Sequence, residues 1–96
     1  KKPDPAPRFA TDFETRYSLR LTVADAVGVL SSISGVLGRH NVSVLVVEQR
    51  GEAKNGAAEI IFITHKTFEN SIQAAIEELK KSDLVYAVNT LIRVED

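Results

Sequence analysis

Arg16-Tyr17-Ser18-Leu19-Arg20-Leu21-Thr22-Val23 alternates polar and apolar residues without a fault, and Ala24-Asp25-Ala26-Val27-Gly28 breaks the alternation. A period of two marks a strand with one buried face. Beyond the break the period changes. Val29, Leu30, Ile33, Val36 and Leu37 recur at helical spacing, while Ser31, Ser32, Ser34 and Arg39 take the other faces. This strand-to-helix junction orients the rest of the chain.

The helix is expected to stop near Gly38–Asn41, where Asn41 suits a left-handed C-terminal position. Val42 to about Arg50 is valine-rich and reads as a second strand. Val42, Val44 and Val46 fall on one of its sides, Leu45 and Val47 on the other. Lys54-Asn55-Gly56 supplies an Asn-Gly hairpin turn, and Ala57–His65 is the returning strand. Thr67 is the expected N-cap of a second helix over about Phe68 to Lys81, with an apolar stripe of Ile72, Ala75, Ile76 and Leu79. Lys80 and Lys81 suit its last turn, and Glu77 and Lys81 are spaced as an i,i+4 pair. Leu84–Val94 closes the chain as a strand. The order βαββαβ belongs to the α+β class. It implies a ferredoxin-like two-layer sandwich, with a four-stranded antiparallel sheet and two helices on one face.

Such a sandwich leaves one sheet face bare. The second and third strands are apolar on both sides, with Ile60 and Phe62 opposite Ile61 and Ile63. Strands of that kind expect cover on both faces, from a second copy or from the rest of a longer chain.

The remainder of the chain bounds the function. Its 96 residues allow one domain, since independent cores need ~100–200 residues each. Pro3, Pro5 and Pro7 keep the N-terminus extended, so residues 1–15 read as an interdomain linker, with Phe9 and Phe13 as weak anchors. A proline-rich recognition ligand is the alternative reading of that segment. The chain starts at Lys1 without methionine or an apolar leader, which is the expectation for a domain excised from a longer cytoplasmic protein. Apolar runs such as Val44–Val47 are far short of a membrane span. A net charge of −1 gives no pull toward nucleic acid or an anionic membrane, and zero cysteines exclude thiol chemistry.

Catalytic groups are scarce. His40 falls at the end of the first helix, where capping and the helix dipole explain it, and His65 at the end of a strand, facing solvent. No His/Asp/Glu cluster has metal-ligand spacing, none of seven serines lies in a G-x-S-x-G elbow, and G-x-G-x-x-G is absent. No catalytic residue, metal or cofactor is therefore expected in this segment, and it does not read as an enzyme by itself. The sheet also lacks the adjacent aromatics of an RNA-binding platform.

One candidate site remains, at the first junction. A helix N-terminus presents free N–H groups and partial positive charge, suited to a carboxylate. Gly28 lets a ligand approach the backbone closely, and Asp25 can receive an ammonium group. Together they fit a zwitterion. In the plainer reading, Asp25 is a helix cap and Gly28 only fits a turn.

Ala24-Asp25-Ala26-Val27-Gly28-Val29-Leu30-Ser31-Ser32-Ile33, followed by Leu37-Gly38-Arg39-His40-Asn41-Val42-Ser43-Val44, resembles the ACT domain. The typical motif there is D-R-P-G-V-L-x-x-I, then a helix end and I-N-I or I-S-I. Arg16-Tyr17-x-Leu19-Arg20-Leu21, Val47-Glu48-Gln49, Ile63-Thr64-His65 and Ile92-Arg93-Val94-Glu95 are similar to the C-terminal regulatory domain of the homoserine dehydrogenase branch. The resemblance covers residues 16–96 and implies a regulatory domain of an NAD(P)-dependent oxidoreductase in amino-acid biosynthesis. It implies a homo-oligomer, at least a dimer, that binds a small amino acid at a subunit interface, threonine first among effectors, and acts on a linked catalytic domain. Ligand-binding positions then fall on Asp25, Ala26, Gly28, Val29, Leu30, Ser43 and Gln49. Ala26-Val27 stands where the family carries arginine and proline, so the loop loses a charge and a fixed φ. A ligand-free dimerisation module, or an ACT domain from another amino-acid enzyme, is the alternative.

Overall fold

The structure is a computed structural model that describes residues 14–95. Its elements are β1 (Glu14–Ala24), α1 (Val29–Arg39), β2 (Val44–Lys54), β3 (Ala57–Thr64), β4 (Thr67–Phe68), α2 (Glu69–Leu79) and β5 (Val85–Val94). All strand pairs are antiparallel, and the long strands lie in the order β2-β3-β1-β5. This is the expected ferredoxin-like α+β sandwich of βαββαβ order. The sheet differs from the expected four strands in one respect. The two-residue β4 adds a fifth strand, pairing Phe68 and Thr67 with Glu14 and Thr15.

β1 holds the centre because its alternation is clean. Tyr17, Leu19, Leu21 and Val23 point to the helices and are buried. Leu19 sits between Phe62 of β3 and Leu91 of β5, and Leu21 between Ile60 and Val88. Val29, Ile33, Val36 and Leu37 of α1 and Ile72, Ala75, Ile76 and Leu79 of α2 close the core from above. Full burial of such side chains contributes roughly 1.5–3 kcal/mol each.

Several boundaries differ from expectation. Thr67 does not cap the second helix. It is buried in β4, its hydroxyl 3.5 Å from the Asn41 carbonyl, and Phe68 takes the N-cap position without a side-chain bond. The chain keeps a sheet partner for Thr15 there instead of spending Thr67 on the helix. α2 ends at Leu79, so Glu77 meets Lys80 at 3.8 Å rather than Lys81. Residues 1–13 of the expected linker, with its prolines, Phe9 and Phe13, lie outside the described residues, while Glu14 and Thr15 already belong to β1. The Asn55-Gly56 turn forms as expected, both residues at positive φ, and Asn41 is left-handed at φ 63°.

The most consequential difference is in β2. Val44 stands opposite Thr64, but Val46 stands opposite the next residue of β3, Ile63. The extra residue, Leu45, makes a bulge, and a bulge inverts every later side chain. Val47 and Gln49 therefore share the helix side with Phe62 and Ile60, while Val46, Glu48 and Arg50 share the open face with Ile63, Ile61 and Glu59.

The open face itself is less apolar than the sequence implies. Its middle is the polar side of β1, where Arg20 pairs with Glu59 at 3.5 Å. Ile61 is only 8% exposed, with Arg20 of β1 and Glu48 of β2 as its cross-strand neighbours on either side. The exposed apolar side chains sit on the outer strands instead: Leu45, Val46 and Val47 of β2 are 42–48% exposed, and Tyr86 and Ile92 of β5 57–58%.

Candidate functional site

At the junction that breaks the alternation, the backbone is pinned twice. The Ala24 N–H donates to the Leu84 carbonyl at 2.8 Å, and the Asp25 N–H donates to the Gly56 carbonyl at 2.9 Å. The loop therefore hangs between the β2–β3 hairpin tip and the entry to β5. Gly28 then takes φ 86°, a left-handed conformation in which an L side chain is strained. A Cβ there would meet nothing within 4 Å, so glycine serves the backbone angle and keeps the mouth clear.

Gly28, not Asp25, is the N-cap of α1, and no side chain caps the helix. The plainer reading of Asp25 as an ordinary cap is thus overturned, and its exposed carboxylate stays available. The Val29 N–H is turned onto the Ala26 carbonyl at 3.2 Å. Of the two expected amide donors, Leu30 is the one left at the mouth, joined by Ser31. Helix N-termini leave such N–H groups without intrahelical partners.

These groups rim a cleft of about 380 Å³, within the size range of small-molecule sites. Its floor is apolar: Val23, Ala58 and Ile60. Its rim is Asp25, the α1 amides and Gln49, and Asp25 is the only charged residue in the lining. Gln49 reaches it only because of the Leu45 bulge; an unbroken β2 would turn Glu48 to this side. Its Nε2 donates to the Gly51 carbonyl at 3.2 Å, and its Oε1 is an acceptor.

Six of the seven expected positions, Asp25, Ala26, Gly28, Val29, Leu30 and Gln49, are brought together around this one cleft. Ser43 is not. It lies six residues before Gln49, roughly 20 Å along the strand, with its carbonyl accepting from the His65 N–H at 2.9 Å. Sequence reasoning missed Ser31 and the floor. Ser31 follows from its place in the first turn of α1, whereas Ala58 and Ile60 needed the β1–β3 register.

Elsewhere, His40 at the C-cap of α1 sets its Nε2 2.8 Å from Glu78 of α2, and Arg39 bonds the same carboxylate. The two partners, the arginine bond first, hold the Glu78 carboxyl below the usual glutamate range. Among the described residues no group of three His, Cys, Asp or Glu side chains could hold a metal, and no helix is long and apolar enough to cross a membrane.

A βαββαβ sandwich with a polar-rimmed cleft at its first strand–helix junction is a ferredoxin-like domain with a site of small-molecule size. The chain belongs to the ACT domain family, which it matches over residues 17–83. Within that family it is similar to homoserine dehydrogenases. It is 33% identical to that of Corynebacterium glutamicum over 84% of this chain and 18% of the relative. For the Neisseria gonorrhoeae protein the figures are 34%, 88% and 19%. The crystal structure of a homoserine dehydrogenase from Thiobacillus denitrificans superposes with a TM-score of 0.76 at 32% identity, covering 86% of this chain and 18% of that one. The chain thus spans about a fifth of the length of the relatives it matches.

Proposed function

We propose that this ACT domain senses a small amino acid, threonine first among candidates, and regulates a linked homoserine dehydrogenase. The observation that carries the reading is the cleft rim. One carboxylate, Asp25, stands on one side, and the uncapped amides of Leu30 and Ser31 on the other. An α-ammonium paired with Asp25 and an α-carboxylate on the helix amides satisfy both charges of a zwitterion. Gln49 Oε1 can accept from a side-chain hydroxyl, and Val23, Ala58 and Ile60 receive a methyl group. Threonine carries both.

The site sits beside the exposed edge of the sheet, which supports binding where subunits of a homo-oligomer, at least a dimer, meet. Regulation then requires that the effector bind two subunit arrangements unequally. The NAD(P) of the linked enzyme belongs outside these residues, which carry no glycine-rich dinucleotide loop. Cytoplasmic residence goes with the same reading.

Thermal melts against the twenty amino acids test this. Threonine at a hundred times its dissociation constant adds about 2.7 kcal/mol, a rise of roughly 10–20 °C for a domain of this size. Asp25→Asn is expected to remove the rise. No shift with any amino acid at millimolar concentration rejects the sensor and favours the ligand-free dimeriser.

A further inference from the structure

We propose that Asn55, at the tip of the β2–β3 hairpin, is a site of spontaneous covalent modification, and that its isoaspartyl product releases the loop that rims the cleft. The chemistry is independent of what the cleft binds.

The chain has four asparagines, Asn41, Asn55, Asn70 and Asn89. Asparagine is labile because the backbone nitrogen of the next residue can attack its side-chain carbonyl carbon. The surroundings of that nitrogen and carbon separate the four. Asn41 is followed by β-branched Val42, whose N–H is held by the Leu37 carbonyl at 2.9 Å. Asn70 is fixed in the first turn of α2. Asn89 precedes Thr90, and its Nδ2 donates to the Thr22 hydroxyl at 2.9 Å. Asn55 is exposed, and Gly56 after it has no side chain to obstruct the attack.

Ring closure needs a backbone rotation at Asn55, so the left-handed turn must come undone for a moment. The hairpin is built to allow it. Arg50 pairs with Glu59 and Lys54 with Ala57, so residues 51–53 of β2 stand opposite Ala58 alone. Gly51, at φ 74°, lies in that interruption. Between the break and the turn, one register pair ties the tip to its own hairpin, and segments tied so weakly open at low free-energy cost.

The reaction consumes only water. The Gly56 nitrogen gives up its proton to base and forms a bond to Cγ of Asn55, closing a five-membered succinimide. The Cγ–Nδ2 bond breaks, and Nδ2 takes up a proton and leaves as ammonia. Water then opens the ring at one of its two carbonyls. Opening at Cγ gives aspartate. Opening at the main-chain carbonyl breaks the original peptide bond, so that the chain runs through Cγ as isoaspartate and is one carbon longer. Either product carries one more negative charge.

The place of the longer link gives it a consequence. The Gly56 carbonyl accepts the Asp25 N–H at 2.9 Å, one of the two hydrogen bonds that pin the cleft loop. An extra main-chain carbon just before Gly56 moves that carbonyl away from Asp25. The Ala24 N–H, bonded to the Leu84 carbonyl on the other side, keeps its partner.

Incubation of the chain in heavy-oxygen water at mildly alkaline pH, followed by peptide fragmentation, tests the site. Asn55 is expected to exchange NH for labelled oxygen at least about tenfold faster than Asn41, Asn70 or Asn89, whose following residues carry obstructing side chains. Asn55→Gly, which keeps a hairpin-forming Gly-Gly pair, is expected to hold its mass over the same time. Ion exchange separates the modified chains by their added charge. In the isoaspartyl fraction the Asp25 amide is expected to exchange hydrogen about tenfold faster than in the parent, the worth of one hydrogen bond, with Ala24 unchanged. Asn55→Asp, which adds the charge without the extra carbon, is expected to leave Asp25 as in the parent. Labelling of Asn55 no faster than of the other three overturns the site. Unchanged Asp25 exchange in the isoaspartyl fraction, equal acceleration at Ala24, or equal acceleration in Asn55→Asp overturns the release of the loop.

Discussion

β1 and β2 are both eleven residues long and rich in β-branched and aliphatic side chains, yet their fates are opposite. β1 buries every second residue, while β2 is exposed along most of its length. Hydrophobicity does not separate them, since Val46 and Val47 are as apolar as Val23. Position does. β1 has a neighbour on each side and helices above, whereas β2 has β3 alone beside it among the described residues. The centre of the sheet buries its apolar side chains, and the edge leaves them exposed.

The sharpest way to break this contrast uses one cross-strand pair. Phe62 and Val47 face each other on the helix side. Phe62→Ala is expected to lose about 3–5 kcal/mol in urea denaturation, and Val47→Ala under about 0.5 kcal/mol, as for an ordinary surface substitution. Comparable losses would show that β2 is as much core as its inner neighbour β3.

A smaller effect is expected where β1 passes from β3 to β4. The Tyr17 N–H has no strand carbonyl there and donates to the hydroxyl of fully buried Thr64 at 3.0 Å. Thr64→Val keeps the shape and orphans that donor, costing about 1–3 kcal/mol. A valine variant as stable as the parent would mean that the hydroxyl contributes packing alone.

The smallest effect concerns the helix layer over the centre. Arg39 and His40 of α1 both hold Glu78, whose carboxyl titrates below its usual range. A depressed carboxylate contributes stability that is present above the ordinary glutamate value of about 4.3 and lost as pH falls through the lower folded value. Glu78→Gln is therefore expected to melt slightly lower than the parent near neutral pH, with the gap closing below about pH 4. A gap that persists at pH 3 would assign the effect to packing.

Much of the fold was legible along the chain because local rules acted without competition. The faultless alternation of residues 16–23, the helical stripe from Val29 to Leu37 and the Asn55-Gly56 turn each had one reading, and each formed. Thr67 was misread because two local rules competed: a threonine before a helix suits a cap, but here the strand partner of Thr15 prevailed. The cleft loop and α1 were readable for the same reason as the strand before them. Gln49 was readable only through family resemblance, and Ser43 was placed in a cleft that it does not reach.

By itself the sequence determined the order of elements, the core face of β1, the place of the candidate site at the first junction and the family. Those depend on periodicity and turn chemistry, which act over a few residues. Tertiary structure alone decided that Leu45 bulges, that Gln49 rather than Glu48 meets the cleft, that Ile61 is buried on the open face and that the exposed apolar side chains lie on the outer strands. Each of those depends on how two strands distant in sequence are aligned, and a shift of one residue in that alignment sends a side chain to the opposite face.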